Sequence, residues 1–182
     1  MAKNIEIKAR LKDLSSGLET AKTLSGKDPE IIHQEDFFFN CANGRLKLRM
    51  FSSSNGELIF YNRKNKKGPK TSEYFISKTV DPMGLKNVLY RSHGICGVVK
   101  KTRYLFLVGR IRIHIDQVEN LGSYLEFEVV LSENENDEDG KKEAYRLMEQ
   151  FGVKEEDLID SAYVDLINGR NENRKVSIEH TI

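Results

Sequence analysis

Alternation of polar and apolar residues is the clearest pattern in the first half of the chain. From Asn4 to Leu11 the two types alternate strictly, which is the period of a strand with one apolar face. Turn signals at Asn43-Gly44 and Asn55-Gly56 separate further segments of strand-like character. These segments are residues 31–39, 45–50, 58–63 and 71–77. We therefore predict an antiparallel meander in this half of the chain.

Four segments have the signals of helices. Asp13 can cap a short helix that Gly26 ends, and Asp81-Pro82 is a typical start for a second helix that runs to about His93. A third, amphipathic helix follows the acidic run 133–139, whose charge suits the amino-terminal end of a helix. The pattern indicates a last helix at 158–167.

Three more strands are predicted in the second half of the chain, at 97–108, 111–118 and 122–131. Eight strands with helices between them give an α+β fold with a largely antiparallel sheet, and a closed barrel of eight strands can just hold one small ligand. The chain of 182 residues has the length of one domain, to which we assign residues 1–168. We expect residues 169–182 to form a disordered tail.

Composition and charge narrow the range of functions. Hydrophobic residues make up 38% of the chain and charged residues 31%, which is polar but still typical of a folded domain. Twenty-nine Lys and Arg against 28 Asp and Glu give a net charge of +1, which argues against a broad nucleic-acid-binding surface. Two cysteines rule out a disulfide framework, and the polar start resembles neither a signal peptide nor a membrane span. We expect a reduced, cytoplasmic protein with no membrane partner.

The polar faces of the predicted strands carry the candidate chemistry. Glu6, Asp116, Glu126 and Glu128 fall in the middle of strands, although acidic residues are poor strand formers. Basic residues share these faces: Lys8, Arg10, Arg45, Lys47, Arg49, Arg63, Lys101, Arg103 and Arg112. For any single strand, a solvent-facing surface with ion pairs between strands is the simpler explanation. For the whole set we favour a charged cavity beneath outward apolar faces, in which carboxylates bind a hard cation and bases bind a polyanion.

Several motifs occur in the order that is typical of one family. Ile5-Glu6-Ile7-Lys8 resembles the Glu-x-Glu-x-Lys signature of the CYTH domain, which is found in the triphosphate tunnel metalloenzymes. Leu46-Lys47-Leu48-Arg49 is similar to the family's Leu-Arg-x-Arg strand, and the most specific match lies at 115–128. Further matches are Gln34-x-Asp36, Lys101-x-Arg103 and Ser161-x-Tyr163. The resemblance therefore covers nearly the whole chain.

The resemblance implies an eight-stranded antiparallel tunnel in which carboxylates bind Mg²⁺ or Mn²⁺ and bases bind a triphosphate. The implied metal ligands are Glu6, Asp116, Glu126 and Glu128. The implied substrate-binding bases are Lys8, Arg10, Lys47, Arg49, Arg63, Lys101, Arg103 and Arg112. Among these, Lys8, Lys101 and Arg103 are the candidate catalytic residues, because they would neutralise charge that develops on the phosphate.

Three positions depart from the family pattern. Asn4 stands in place of the first Glu of the signature, Lys47 replaces an Arg, and Tyr61 stands about where a Lys is expected. An Asn oxygen can still complete a metal shell, whereas the loss of a Lys near the phosphates would remove charge stabilisation. We expect His114, which shares the charged face, to pair with Asp116.

We predict metal-dependent hydrolysis of a triphosphate-bearing small molecule, such as tripolyphosphate, thiamine triphosphate or a nucleoside triphosphate. One alternative is an adenylyl cyclase of this family that makes cyclic AMP from ATP, but no His-Phe pair precedes the signature as it does in those cyclases. A second alternative is a protein that binds polyphosphate or a nucleotide without turnover, which Asn4 and Tyr61 favour. The basic loop 63–70 has no interleaved aromatic residues, so we interpret it as a tunnel rim rather than a nucleic-acid site. The sequence leaves the oligomeric state open.

Overall fold

A computed structural model of the chain describes residues 2–63, 67–132 and 135–170, apart from the side chains of residues 2, 3 and 63. Its strands are β1 (Ala2–Arg10), β2 (Glu30–Phe39), β3 (Arg45–Ser52), β4 (Asn55–Arg63), β5 (Lys70–Thr79), β6 (Ile95–Val108), β7 (Ile111–Val118) and β8 (Gly122–Val130). They form a closed antiparallel barrel in the order β1-β5-β4-β3-β2-β6-β7-β8. The α+β class and the closed eight-stranded barrel are therefore confirmed.

Four α-helices lie in the described ranges: α1 (Leu14–Ser25), α2 (Pro82–His93), α3 (Asp137–Gln150) and α4 (163–170). Helix α1 packs against β6 and β7, α2 against β2, β3 and β4, and α3 against β1 and β8. The predicted caps are present, because Asp13 accepts a hydrogen bond from the Ser16 amide at 3.1 Å and Asp81 accepts one from the Gly84 amide at 2.9 Å. None of the helices in the described ranges is long and apolar enough to cross a membrane.

The carboxyl-terminal segment differs from the sequence-based prediction. The last helix starts at residue 163 rather than 158, because Leu158 pairs with Ala9 and the Ile159 amide donates to the Lys8 carbonyl at 2.8 Å. This helix continues to residue 170, so the first two residues of the predicted tail are helical. Residues 171–182, and residues 64–66 of the predicted tunnel rim, lie outside the described part of the chain.

The apolar faces of the strands point outward, as predicted. Ile5, Ile7, Ile113, Leu125 and Phe127 are each at most 1% exposed and belong to one core cluster that includes residues of α1 and α3. Full burial of side chains of this size stabilises a protein by about 1.5–3 kcal/mol each. Because neighbouring side chains on a strand alternate between faces, the charged residues between these positions point into the barrel.

One end of the barrel is covered by the segment 158–170. The Tyr163 ring packs on Tyr124 with centroids 5.0 Å apart, and the Asp165 carboxylate accepts two hydrogen bonds from Arg45 at 2.9 and 2.8 Å. Helix α4 approaches β6 so closely that a Cβ on Gly97 would lie 2.2 Å from a methyl group of Val164. A residue larger than glycine would therefore push the segment away from the barrel.

The opposite end of the barrel is open to solvent. Ile76, which lines the interior near this end, is 49% exposed, and the Arg112 side chain is 34% exposed. Asp116 and Tyr124, at the covered end, are fully buried. The barrel is therefore a blind tunnel with one mouth.

Candidate functional site

The interior of the barrel is a cavity of about 360 Å³ that all eight strands line. Nine of the twelve predicted site residues line it: Glu6, Lys8, Lys47, Arg49, Lys101, Arg103, Arg112, Glu126 and Glu128. A larger depression of about 860 Å³ lies on the outer face of β2 and β6, where Glu35 and Lys100 pair with each other at 3.2 Å. The tunnel is the better candidate site because it concentrates buried charge.

Asp116 holds two of the predicted bases in place. Its carboxylate accepts hydrogen bonds from the Lys101 ammonium at 2.7 Å, from two Arg103 nitrogens at 2.7 Å each, and from the Tyr163 hydroxyl at 3.1 Å. Burial raises the pKa of Asp116, but the charges of Arg103 and Lys101 outweigh it and hold that pKa far below its ordinary value. Asp116 is fully buried behind these bases and does not line the cavity. This geometry favours an anchoring role over the predicted role as a metal ligand.

Asp36 makes the same arrangement on the other side of the tunnel. It accepts hydrogen bonds from the Lys47 ammonium at 2.7 Å and from two Arg49 nitrogens at 2.8 Å each. Burial raises the pKa of Asp36, but Arg49 and Lys47 hold that pKa well below its ordinary value. Sequence reasoning did not assign Asp36 to the site. The sequence feature that could have identified Asp36 is its spacing. Asp36 lies 13 residues before Arg49, Asp116 lies 13 residues after Arg103, and each Arg belongs to a Lys-x-Arg strand.

Two lysines of the tunnel, Lys47 and Lys101, have lowered pKa values. Burial and the neighbouring Arg103 lower the pKa of Lys101 to about 7, and burial and Arg49 lower the pKa of Lys47 to about 8. A bound anion would favour the charged form of each lysine. The tunnel is therefore a low-dielectric site in which added negative charge is strongly stabilised.

Tyr163 connects the covered end of the tunnel to the bases. The Lys8 ammonium lies 4.0 Å from the centre of the Tyr163 ring, and the Lys101 ammonium lies 5.1 Å from it. Both distances are in the range of cation–π interactions. Lys8 also lies 3.5 Å from a Glu126 oxygen. The predicted catalytic residues Lys8, Lys101 and Arg103 therefore meet at the closed end.

Carboxylates gather beside these bases on β7 and β8. Potential ligand atoms of His114, Glu126 and Glu128 all lie within 4.8 Å of one another. Glu128 accepts a hydrogen bond from Arg112 at 2.8 Å, and Glu126 accepts one from Arg103 at 3.1 Å. The expected pairing of His114 with Asp116 is wrong, because its Nδ1 faces Glu126 and Glu128 at 3.9 and 3.8 Å.

This cluster fits a divalent cation. Carboxylate oxygens are the donors that Mg²⁺ and Mn²⁺ prefer, and Nδ1 of His114 is buried without a hydrogen-bond partner among the described residues. Burial and the nearby Arg103 lower the pKa of His114, which favours the neutral ring that can act as a ligand. The backbone of Glu6 is paired with that of Glu128, so a third carboxylate lies on the neighbouring strand.

Two predicted bases are not placed in the tunnel, whereas all three departures from the family pattern, Asn4, Lys47 and Tyr61, line it. Arg10 is exposed and lies 5.8 Å from the centre of the Tyr124 ring, and the side chain of Arg63 lies outside the described part. Asn4 lines the cavity, is 2% exposed, and has a side-chain oxygen without a hydrogen-bond partner among the described residues. Tyr61 also lines the cavity, with its ring centre 5.9 Å from the Lys47 ammonium.

The barrel is closed and antiparallel, and paired acidic and basic groups line its interior, which is open at one end. The chain therefore has a tunnel fold. The chain belongs to the CYTH domain family, whose model matches residues 2–163. The family predicted from the sequence motifs is therefore confirmed.

Individual relatives agree with this assignment. A protein of Methanocaldococcus jannaschii that is provisionally named an adenylate cyclase is 25% identical over 176 residues, which cover 89% of this chain and 97% of the relative. The solved structure of the PH1012 protein of Pyrococcus horikoshii has a TM-score of 0.80 at 26% identity and covers 90% of this chain and 98% of its own. A Hippeastrum protein, provisionally an adenylyl cyclase and described with a dominant triphosphatase activity, shares the fold with a TM-score of 0.64 at 18% identity, over 93% of this chain and 96% of its own.

Proposed function

We propose that this protein hydrolyses a phosphoric anhydride bond of a triphosphate-bearing small molecule with the help of Mg²⁺ or Mn²⁺. The observation that carries the proposal is the convergence of two Asp-anchored Lys-x-Arg pairs and the Glu126–Glu128 cluster in one buried cavity. The bases suit the oxygens of a phosphate chain, and the carboxylates suit the cation that accompanies it. The cavity of about 360 Å³ is at the low end of the ~300–1,000 Å³ that is typical of small-molecule sites, which favours a compact ligand.

The anchored bases would bind the phosphates with little rearrangement. Asp36 and Asp116 already fix the directions of Lys47, Arg49, Lys101 and Arg103, so little side-chain entropy remains to be lost on binding. Fixed charges in a buried tunnel stabilise the charge that develops during phosphoryl transfer. We therefore assign both pairs to binding and to stabilisation of the transition state.

Lys8 differs from these four bases in its surroundings. Its ammonium lies between the Glu126 carboxylate and the face of the Tyr163 ring, without an Asp anchor. A bound phosphate would share this ammonium with Glu126. We assign to Lys8 the neutralisation of the terminal phosphate.

Glu126 and Glu128 would hold the metal ion, with Glu6 and His114 beside them. When bound, the ion would supply Lewis-acid stabilisation and a water of lowered pKa. Arg103 and Arg112 orient the two glutamates through their hydrogen bonds. The fit of these donors supports metal dependence.

The blind tunnel supports hydrolysis at the terminal phosphorus. A substrate that enters through the open mouth with its phosphates first brings its terminal phosphate to Lys8, Lys101 and Arg103 at the closed end. Its organic group would remain near Phe51 and Ile76 at the mouth. Cyclisation would instead require the ribose and the α-phosphorus of ATP to reach the same groups.

Two alternatives have some support. The name of the Methanocaldococcus jannaschii relative favours an adenylyl cyclase, and the apolar residues at the mouth could contact a base. Asn4 and Tyr61, where the family pattern has a Glu and a Lys, favour binding without turnover.

The test is an assay of phosphate release and of cyclic AMP over tripolyphosphate, ATP and thiamine triphosphate, each with Mg²⁺ and with Mn²⁺. We expect phosphate release that requires the metal and no cyclic AMP. Cyclic AMP from ATP would overturn the hydrolase proposal in favour of the cyclase. Tight binding of tripolyphosphate without any turnover would favour the binding protein.

A further inference from the structure

His114 is a buried polar group whose Nδ1 has no hydrogen-bond partner among the described residues. Its side chain is 5% exposed on the inner face of β7, and Nδ1 makes no hydrogen bond with any described residue. Buried polar atoms in folded proteins almost always have a partner, so an orphaned nitrogen that faces a cavity indicates a ligand. This observation is independent of the carboxylates that surround it.

The distances from this nitrogen fit a shared ion better than a hydrogen bond. Nδ1 lies 3.9 Å from Oε2 of Glu126 and 3.8 Å from Oε1 of Glu128, which is beyond hydrogen-bond range. Two atoms that each lie about 2.1 Å from one ion can be separated by up to about 4.2 Å. Both measured separations fall inside that limit, so one ion can contact Nδ1 together with either carboxylate, and the ligand atoms of all three side chains lie within 4.8 Å of one another.

The two glutamates are already oriented toward this point. Arg112 donates to Oε2 of Glu128 at 2.8 Å, which leaves Oε1 on the side of His114. On Glu126, the oxygen that faces Nδ1 is Oε2, to which Arg103 also donates at 3.1 Å, so the ion and Arg103 would share this oxygen. These hydrogen bonds restrict the rotation of both carboxylates, as partners of metal ligands commonly do.

We propose that Nδ1 of His114 is a ligand of the metal ion and that it shifts the preference of the site from Mg²⁺ toward Mn²⁺ and Co²⁺. The inference rests on the proposed metal site and adds a ligand and a preference to it. Mg²⁺ strongly favours oxygen donors, whereas first-row transition-metal ions accept imidazole nitrogen as well. A site of carboxylates alone would lack this discrimination.

The direct test is pulsed EPR of Mn²⁺ bound to the full chain, prepared with natural histidine and with ¹⁵N-labelled histidine. We expect nitrogen modulation from a coordinated imidazole, and its frequencies should change with the label. Bound Mn²⁺ without histidine coupling would overturn the inference. This spectrum needs no variant, so it decides the question even if substitutions at His114 impair folding.

Variants identify which histidine is responsible. His114→Asp should abolish the coupling and lower the ratio of Mn²⁺ to Mg²⁺ affinity, measured by calorimetry, by about tenfold. The matched control is His33→Asp, because His33 lies on the outer face and contacts Thr102 at 3.2 Å. This control should keep both the coupling and the ratio. An unchanged ratio in His114→Asp would contradict the inference.

The outcomes separate this inference from the proposed function. If the parent protein binds neither Mn²⁺ nor Mg²⁺, even with tripolyphosphate present, both fall together. If it binds Mn²⁺ and hydrolyses tripolyphosphate but shows no histidine coupling, the proposed function stands and the role of His114 as a metal ligand is wrong.

Discussion

Replacement of Asp116 with asparagine separates an anchoring residue from a metal ligand. In the structure, its carboxylate accepts two hydrogen bonds from Arg103 and one each from Lys101 and Tyr163, and it is fully buried. Asparagine has nearly the same shape, but it lacks the charge and turns one acceptor into a donor that faces other donors. The substitution therefore removes the carboxylate that Lys101 and Arg103 share, and Arg103 keeps its hydrogen bond to Glu126.

The expected cost follows from this loss. Removal of one partner of a buried ion pair destabilises a protein by about 3–5 kcal/mol. With a urea dependence of about 2 kcal/mol/M, a loss of about 4 kcal/mol lowers the urea midpoint by about 2 M. This loss is a large part of the free energy of unfolding, which is typically about 5–15 kcal/mol for a folded domain.

The assay is urea unfolding of the metal-free protein followed by circular dichroism, together with calorimetric titration of Mn²⁺. For Asp116→Asn we expect the large loss of stability and nearly unchanged Mn²⁺ affinity in the protein that remains folded. Asp36→Asn, which removes the equivalent anchor, is the matched control and should behave alike. Unchanged stability with a large loss of Mn²⁺ affinity would refute the anchoring role and restore Asp116 as a metal ligand.

Three other predictions address the bases and the closed end. Because the pKa of Lys101 is about 7, this lysine is mostly neutral at pH 8, and it should take up a proton when tripolyphosphate binds. Calorimetry in buffers of different ionisation enthalpy should show less proton uptake for Lys101→Arg, because arginine stays charged. Equal proton uptake in the parent and the variant would contradict this pKa. Tyr163→Phe removes the 3.1 Å hydrogen bond to Asp116 and should cost about 1.5–3 kcal/mol in urea unfolding; no loss would argue against its role at the closed end. In steady-state assays, Arg49→Ala should raise KM for tripolyphosphate at least tenfold without changing the metal concentration required. Glu126→Gln should instead raise the metal concentration required. The reverse result would make Arg49 the residue that supports metal binding and Glu126 the residue that supports substrate binding.

The local sequence pattern was sufficient to predict the barrel and to predict that the charged faces of its strands point inward. Alternation along β1 and β7 places Ile5 and Ile113 outward, and the charged residues between such positions therefore point inward. Nine of the twelve predicted site residues line the tunnel for this reason. Arg10 shares the alternation but lies at the end of β1, beyond the cavity, and residue type alone does not reveal that position.

The remaining features depend on contacts between distant segments. Asp116 has the residue type and the strand face of a metal ligand, and only the pairing of β6 with β7 shows that it lies opposite Arg103. Asp36 is related to Arg49 in the same way across β2 and β3. Residues 158–162 read as helical by local pattern, but pairing of Leu158 with Ala9 of β1 delays the start of the helix and closes the tunnel.

The central claim is that the tunnel hydrolyses a phosphate chain with a divalent cation. The most direct measurement is phosphate release from tripolyphosphate by the full-length chain, titrated with Mn²⁺ and repeated with Glu126→Gln. The account predicts release that rises with Mn²⁺ and saturates in the parent, and that needs more Mn²⁺ and is slower in the variant. Absence of release at every Mn²⁺ concentration, from a sample that binds tripolyphosphate by calorimetry, would contradict it.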